Sequence, residues 1–178
     1  SREKPYKMPL PNGETIDMTP RAVETYNRLG LDCLVCLGGN GTHKVAFNLM
    51  QNGLNVIGLP KTIDNDIAGT EDTIGFDTAV NTAIDAIDRI RDTASSHDRI
   101  FIVEVMGRNS GWIASQVGLA GGAEEILTAD NVVTVEKIVE NLKASRAKGK
   151  TSSIIITRSI IHSTSHPCSF TSTVHRCT

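Results

Sequence analysis

Short apolar runs alternate along the chain with longer stretches whose apolar residues recur every three or four positions. The short runs have the length of buried strands, and the longer spacing is that of amphipathic helices. The predicted strands cover residues 33–37, 55–59, 100–105, 126–128 and 153–156. The predicted helices cover residues 21–29, 44–52, 77–92, 112–120 and 135–148. This alternation predicts an α/β fold, in which a parallel sheet carries helices on both faces.

Three polar loops follow directly after predicted strands, at residues 38–42, 61–66 and 106–109. Ligands of open parallel sheets bind outside the carboxyl ends of the strands. Because parallel strands end at the same edge of a sheet, the sequence predicts that the three loops share one ligand site.

The first loop, GGNGT, is rich in glycine and leads into a predicted helix. Without Cβ atoms its backbone N–H groups can approach a ligand closely, and the positive end of the helix favours phosphate. The spacing fits neither a Walker A sequence nor a GxGxxG fingerprint, so an ordinary strand–helix turn is the alternative. The candidate phosphate-binding residues are Gly38, Gly39, Asn40, Gly41 and Thr42.

The second loop, within PKTIDND, combines a cation, a hydroxyl and two carboxylates. Lys61 can neutralise a phosphate, and Thr62 can donate to a phosphate oxygen. Asp64 can accept a proton from an attacking hydroxyl, whereas Asp66 can orient a magnesium-bound phosphate. A solvated surface loop is the plain alternative for such a segment.

Two arginines, Arg99 and Arg108, flank the predicted strand 100–105 and offer planar forks for a second anionic group. Phosphoryl transfer needs positioning, charge neutralisation and a base, and the three loops together contain these elements.

Composition restricts the function classes. The 178 residues are 39% hydrophobic and 21% charged, which suits one soluble globular domain. The net charge of −2 offers no electrostatic footprint for nucleic acid or an anionic membrane. No apolar run is long enough for a membrane span and the N-terminus does not resemble a signal peptide, so we expect a cytoplasmic protein.

Cys33 and Cys36 lie in an apolar run and are predicted to be buried core thiols.

Two long segments closely resemble 6-phosphofructokinases: PKTIDNDIAGTEDTIGFDTA and AIDRIRDTASSHDRIFIVEVMGRNSGW. The resemblance covers residues 1–156 and implies the Rossmann-like N-terminal domain of that family in incomplete form. It implies transfer of a phosphoryl group from ATP, with Mg²⁺, to the 1-hydroxyl of fructose 6-phosphate. The family also leads us to expect an allosteric glycolytic enzyme that forms a homodimer or homotetramer.

The resemblance assigns roles to individual loop residues. Asp64 falls on the family's catalytic base, Thr62 on the contact to the transferred phosphoryl, and Asp66 on the magnesium–phosphate arrangement. Lys61 belongs to the same motif. Arg99 resembles the arginine that reaches the sugar 6-phosphate of a neighbouring subunit.

Further positions follow from the same resemblance. Met106, Gly107 and Arg108 resemble the segment that holds fructose 6-phosphate. Arg2 resembles an arginine that contacts the phosphates of the donor.

The phosphoryl donor depends on two positions that favour different donors. In the family, a glycine at the position of Gly41 leaves room for a nucleotide, whereas an aspartate there goes with pyrophosphate use. Lys61 is the residue seen in pyrophosphate enzymes, but it also occurs beside this glycine in ATP-dependent members. We expect ATP, with pyrophosphate as the alternative. Asn40 replaces the usual aspartate, keeps an oxygen ligand for Mg²⁺ and loses a charge.

Other classes fit the motifs less well. Lipid and NAD kinases share a GGDGT-like loop but lack the TIDND and MGR segments. A nicotinamide-dependent oxidoreductase requires the GxGxxG spacing, which is absent. A third alternative is a catalytically inactive fragment, because the family's opening strand with its Gly-rich donor loop and its later sugar-phosphate residues are missing.

Residues 157–178 form an atypical tail crowded with Ser, Thr, His and Cys. The tail shows no amphipathic period, so we expect it to be disordered and foreign to the fold. Its histidines and cysteines do not match the spacing of a zinc finger.

Overall fold

The structure is a computed structural model that describes residues 4–96, 99–131, 133–158 and 174–176. The chain divides into two compact units. The first unit contains Ser1–Thr62 and Asp66–Ile74, and the second contains Ile63–Asn65 and Gly75–Thr178. In the described ranges, no helix is both long enough and apolar enough to cross a membrane.

The first unit combines a short hairpin with a parallel strand pair. Its elements, in chain order, are β1 (Met8–Pro9), β2 (Thr15–Ile16), α1 (Thr19–Arg28), β3 (Leu34–Gly38), α2 (Asn40–Gln51) and β4 (Val56–Pro60). β1 and β2 are antiparallel. β3 and β4 are parallel, with Leu34 opposite Val56 and Gly38 opposite Pro60. Because the two strands end together, the segments after them begin at the same edge of this sheet.

The start of α1 depends on a carboxylate outside the helix. Asp17 Oδ1 accepts a hydrogen bond of 2.8 Å from the Thr19 N–H, which satisfies one unpaired donor of the first turn. The hydrogen bonds from Thr19 lower the pKa of Asp17. Pro20 follows in the first turn, where its missing N–H costs no helical hydrogen bond.

The prediction that β3 is a fully buried strand is wrong. Val35, Leu37 and Ile57 are each about half exposed, at 49%, 53% and 51%, because one face of the β3–β4 pair is uncovered. Cys33 and Cys36 are therefore half-buried thiols and not core residues. Desolvation, with a smaller effect of Cys33, raises the pKa of the Cys36 thiol.

The second unit contains the larger sheet. Its elements are α3 (Phe76–Ser95), β5 (Ile100–Val105), α4 (Trp112–Ala120), β6 (Glu125–Leu127), α5 (Val135–Ala147), β7 (Ser153–Arg158) and β8 (Val174–Arg176). The strand order is β6-β7-β5-β8, with β8 antiparallel and the other strands parallel.

The core of the second unit lies between this sheet and helices α3 and α4. Its most completely buried side chains are Ile87, Val117, Ile154 and Ile156. Ile155, whose side chain points to the opposite face of β7, is only 4% exposed. Both faces of β7 are thus covered, as expected of a parallel strand in an α/β fold.

The predicted α/β class is confirmed, but the strands do not form a single sheet. Among the described residues, the parallel strands belong to two sheets, one in each unit. The first two predicted loops follow strands of the first unit that end together, and the third follows β5 of the second unit, so the ligand site shared by all three loops stays a prediction. Helix α2 also begins at Asn40 and not at residue 44, so Gly41 and Thr42 belong to its first turn.

Most of the predicted tail, 157–178, lies outside the described residues. Thr157 and Arg158 complete β7 opposite Glu104 and Val105 of β5. Val174–Arg176 forms β8 and pairs with the other side of β5. These two segments are therefore part of the sheet.

Candidate active site

The glycine-rich turn after β3 is built for a close approach between strand and helix. Gly38 is buried, and a Cβ at this position would lie only 2.5 Å from the Cβ of Thr42. Gly39 precedes the helix in an extended conformation, with φ −88° and ψ −166°. Only glycine at position 38 therefore allows the first turn of α2 to pack directly on the end of β3.

Gly41 has a different environment, although it lies in the same turn. A Cβ at Gly41 would meet no atom within 4 Å, so the space beside it is open. The first turn of a helix carries N–H groups without intrahelical partners and the positive end of the helix dipole. An anion beside Gly41 would meet both features.

Asn40 and Asp66, which the sequence predicts as metal ligands, are neighbours in the first unit. The Asn40 Nδ2 donates to the Asp66 carboxylate at 3.1 Å and to the Asp66 carbonyl at 3.2 Å. The described residues contain no cluster of three or more His, Cys, Asp or Glu side chains that could hold a metal by themselves. One carboxylate beside one amide does fit Mg²⁺, which binds through one or two carboxylates together with phosphates and water.

The segment after β4 is fixed to its surroundings by the backbone. The Lys61 N–H donates to the Gly38 carbonyl at 3.0 Å, and the Lys61 side chain is exposed. The Thr62 carbonyl accepts a hydrogen bond of 2.7 Å from the hydroxyl of Thr73, which is only 4% exposed. Lys61 and Thr62 are thus held at the same sheet edge as the glycine turn.

Asp64 belongs to the second unit and is half-buried there. Its carbonyl accepts a hydrogen bond of 2.6 Å from the Ser110 hydroxyl. Asn65 follows in the left-handed region, at φ +50°, a conformation that asparagine tolerates better than most residues. The segment 63–65 is therefore tied to the loop that follows β5.

That loop contains Met106, Gly107 and Arg108. Gly107 has φ +143° and Arg108 has φ +52°, so the backbone turns sharply at the end of β5. The side chains of Met106 and Arg108 are exposed, and the Arg108 carbonyl accepts a hydrogen bond of 2.6 Å from Arg158 Nη1. Arg158 thereby stabilises the left-handed conformation of Arg108.

Arg99 lies directly before β5. Gly107 and Arg108 follow β5 at the other end of the strand. The Arg99 carbonyl accepts a hydrogen bond of 3.2 Å from the Ser153 N–H, which anchors the start of the strand. Because a strand rises about 3.3 Å per residue, the six residues of β5 separate Arg99 from Arg108 by roughly 20 Å. The structure does not bring these two arginines together within one chain. Arg2 lies outside the described residues.

Sequence reasoning missed three residues that orient the loops: Thr73, Ser110 and Arg158. Each donates a side-chain hydrogen bond to a backbone carbonyl of a loop residue. The motifs predict no role for Ser110, and Arg158 lies in the segment predicted as a tail. No periodicity marks such residues, because their contacts are to the backbone of distant positions.

The family model described as Phosphofructokinase matches residues 2–176. The chain belongs to the phosphofructokinase family. Among curated relatives, the ATP-dependent 6-phosphofructokinase of Spirochaeta thermophila is 50% identical over 160 residues, which is 88% of this chain and 43% of the relative. The enzyme of the same name from Bacillus subtilis is 47% identical over 153 residues, or 86% of this chain and 48% of the relative. The chain thus spans about half the length of these relatives.

Solved phosphofructokinase structures resemble the chain as well. Phosphofructokinase from Saccharomyces cerevisiae matches with a TM-score of 0.72 and 28% identity, over 80% of this chain and 22% of the other. The pyrophosphate-dependent phosphofructokinase of Marinobacter aquaeolei matches with a TM-score of 0.63 and 26% identity, over 79% and 40%. A pyrophosphate-dependent enzyme is thus among the similar structures, whereas the curated relatives above are named ATP-dependent.

Proposed function

We propose that the protein transfers the γ-phosphoryl group of ATP to the 1-hydroxyl of fructose 6-phosphate and forms fructose 1,6-bisphosphate, a step of glycolysis. The observation that carries this proposal is about 50% identity to relatives named ATP-dependent 6-phosphofructokinase. The open space beside Gly41 supports ATP as the donor, because a nucleotide needs room at this turn.

In this proposal the turn at residues 38–42 and the residues directly after β4 bind the donor phosphates. The backbone N–H groups at the start of α2, from Gly39 to Thr42, face the phosphates together with the positive end of the helix dipole. Lys61 neutralises phosphate charge, and the Thr62 hydroxyl contacts the transferred phosphoryl group. Arg2 contributes a further cation to the donor. Charge neutralisation and positioning of this kind supply most of the catalysis in phosphoryl transfer.

Asp64 supplies the base in this proposal, and residues 106–108 supply the sugar-binding segment. The Asp64 carboxylate accepts the proton of the 1-hydroxyl as the hydroxyl oxygen attacks the γ-phosphorus of ATP, and ADP leaves as its bond to the γ-phosphorus breaks. Met106, Gly107 and Arg108 hold fructose 6-phosphate. Arg99 serves the site of a neighbouring subunit of a homodimer or homotetramer, which its position at the far end of β5 supports. A single chain is then expected to be a poor catalyst.

Asp66 and Asn40 would hold Mg²⁺ that arrives with the nucleotide. When bound, the ion neutralises phosphate charge and orients the transferred group. The hydrogen bond between the two side chains supports this assignment, because it keeps an amide and a carboxylate side by side at the phosphate end of α2. The cytoplasm, where ATP is abundant, is the compartment that this function requires.

Pyrophosphate is the second candidate donor, and Lys61 is the residue that favours it. Formation of fructose 1,6-bisphosphate from fructose 6-phosphate with Mg²⁺, measured in parallel with ATP and with pyrophosphate, separates the two. We expect product with ATP only. Product with pyrophosphate only would replace the proposed donor, and no product from the oligomeric protein with either donor would support an inactive member of the family.

A further inference from the structure

We propose that Ser110 is a positioning residue that holds the catalytic base Asp64 in place through its hydroxyl group. This inference rests on the proposed function, since it concerns the same reaction. Ser110 does not touch either substrate in this account, and it acts only through the backbone of Asp64.

The hydrogen bonds around Ser110 identify the acceptor of its single hydroxyl proton. Ser110 Oγ lies 2.6 Å from the Asp64 carbonyl oxygen and 2.9 Å from the Gly107 carbonyl oxygen. The Gly107 carbonyl already accepts the Ser110 backbone N–H at 3.0 Å. A hydroxyl donates one hydrogen bond, so the shorter contact takes the proton and the Asp64 carbonyl is the acceptor.

The Ser110 hydroxyl contacts the segment that carries Asp64 from a distant part of the second unit. Residues 63–65 belong to the second unit, whereas the residues immediately before and after them belong to the first. The Ser110 hydroxyl reaches this segment from 46 positions away. It holds the peptide that joins Asp64 to Asn65, and this peptide leads into the left-handed conformation of Asn65. The orientation of that peptide determines the direction in which the Asp64 side chain leaves the backbone.

Ser110 lies in a turn that its own N–H closes by donating to the Gly107 carbonyl at 3.0 Å. Gly107 and Gly111 both have positive φ, at +143° and +67°, and a Cβ on Gly111 would lie 3.1 Å from the Thr128 Cβ. Helix α4 begins directly after Gly111. The same turn contains the sugar-binding residues Met106–Arg108. One hydroxyl thus connects the segment of the base to the segment that binds the sugar.

The test compares three variants of the protein at its natural length: Ser110→Ala, Ser110→Thr and Ser115→Ala. Ser110→Ala removes the hydroxyl but keeps the backbone N–H that holds Gly107, so the sugar segment stays in place. We expect kcat to fall on the order of tenfold or more, as misplaced catalytic groups do, while KM for fructose 6-phosphate stays within about twofold. Ser110→Thr retains the hydroxyl and should restore most of kcat.

Ser115→Ala is the matched control, because it removes a half-buried serine hydroxyl from α4 outside the loops. Its kcat should equal that of the unsubstituted protein, and thermal unfolding of all three variants checks that they fold. Unchanged kcat in Ser110→Ala, or an equal loss in Ser115→Ala, would overturn the inference.

A double variant shows whether Ser110 acts through Asp64. In an Asp64→Asn background, which removes the base, loss of the Ser110 hydroxyl should lower kcat no further. A full additional loss would show that Ser110 acts independently of Asp64 and would overturn the inference. Failure of the proposed function looks different, because the unsubstituted protein would then form no fructose 1,6-bisphosphate with either donor.

Discussion

The side-chain amide of Asn40 donates to both the carboxylate and the backbone carbonyl of Asp66, at 3.1 and 3.2 Å. The contact joins the first residue of α2 to the end of the segment after β4. It is an intra-unit contact, since both residues belong to the first unit. Because Asn40 donates to the Asp66 carboxylate, the two side chains can lie side by side without a bound metal. Two carboxylates at the same distance would repel each other.

Asn40→Asp should therefore increase the dependence of the protein on Mg²⁺. Without metal, the two carboxylates repel each other and stability should fall by about 1 kcal/mol or less, the range of exposed charge pairs. With Mg²⁺ and ATP, the added charge should lower the metal concentration for half-maximal activity. Thermal unfolding and activity are measured over a magnesium titration, with Asn40→Ala as the control. An identical magnesium response in Asn40→Asp and the unsubstituted protein would contradict this account of the pair.

Gly41→Asp should abolish efficient use of ATP while the protein still folds. The new side chain points into open space, and a carboxylate in the first turn of a helix is favourable. The free energy of unfolding should therefore change by only about 0.5 kcal/mol. Like charges brought together in a binding site cost several kcal/mol, so KM for ATP should rise on the order of 100-fold. Steady-state kinetics measure this effect.

Gly41→Ala serves as the control for Gly41→Asp. It fills the same position without a charge and should leave KM for ATP nearly unchanged. Full ATP activity in Gly41→Asp would show that the nucleotide lies elsewhere.

Gly38→Ala should destabilise the fold much more than Gly39→Ala. The Cβ at position 38 would overlap the Thr42 side chain, and such overpacking costs about 3 kcal/mol. The Cβ at position 39 would lie an ordinary 3.5 Å from Thr62, and alanine at this N-cap should cost only about 0.5–1 kcal/mol. Urea unfolding of both variants measures the difference. Equal stabilities would mean that the helix does not pack on β3 as described.

Thr73→Val should lower activity by displacing Thr62. The valine has the shape of threonine but cannot donate to the Thr62 carbonyl, so a hydrogen bond of about 1 kcal/mol is lost in a buried position. Thr73→Ser also loses stability, because it removes a buried methyl group, but it keeps the hydroxyl. We expect kcat to fall in Thr73→Val only. Equal kcat in the two variants would show that the hydrogen bond does not position Thr62.

The sequence predicts the α/β class because strand and helix periods differ clearly along this chain. Strand β5 and helix α4 have the predicted bounds, and α5 begins at the predicted residue 135, where Thr134 caps it by accepting from the Lys137 N–H at 3.4 Å. The hairpin β1–β2 was not predicted, because strands of two residues show no alternation that a pattern can detect. The division into two sheets was not predicted either, since it depends on pairing between strands that are distant in sequence.

The motifs identify the candidate loops, whereas the residues that orient these loops in the structure have no signal in the sequence. Thr73, Ser110 and Arg158 reach carbonyl groups that are 11, 46 and 50 positions away. A donor to a backbone carbonyl needs no particular partner side chain, so no pair of residue types in the sequence reveals it. The exposed face of β3 was missed for a related reason, because an apolar run does not show which of its faces is covered.

The most direct test of the central claim is the kcat of Asp64→Asn with fructose 6-phosphate, ATP and Mg²⁺. Asparagine keeps the shape of the side chain and removes the group that accepts the proton. We predict that kcat falls on the order of 10² to 10⁴-fold, the contribution of a general base, while fructose 6-phosphate still binds. An Asp64→Asn protein that retains the kcat of the unsubstituted protein would contradict the assignment of Asp64 as the base and the mechanism built on it.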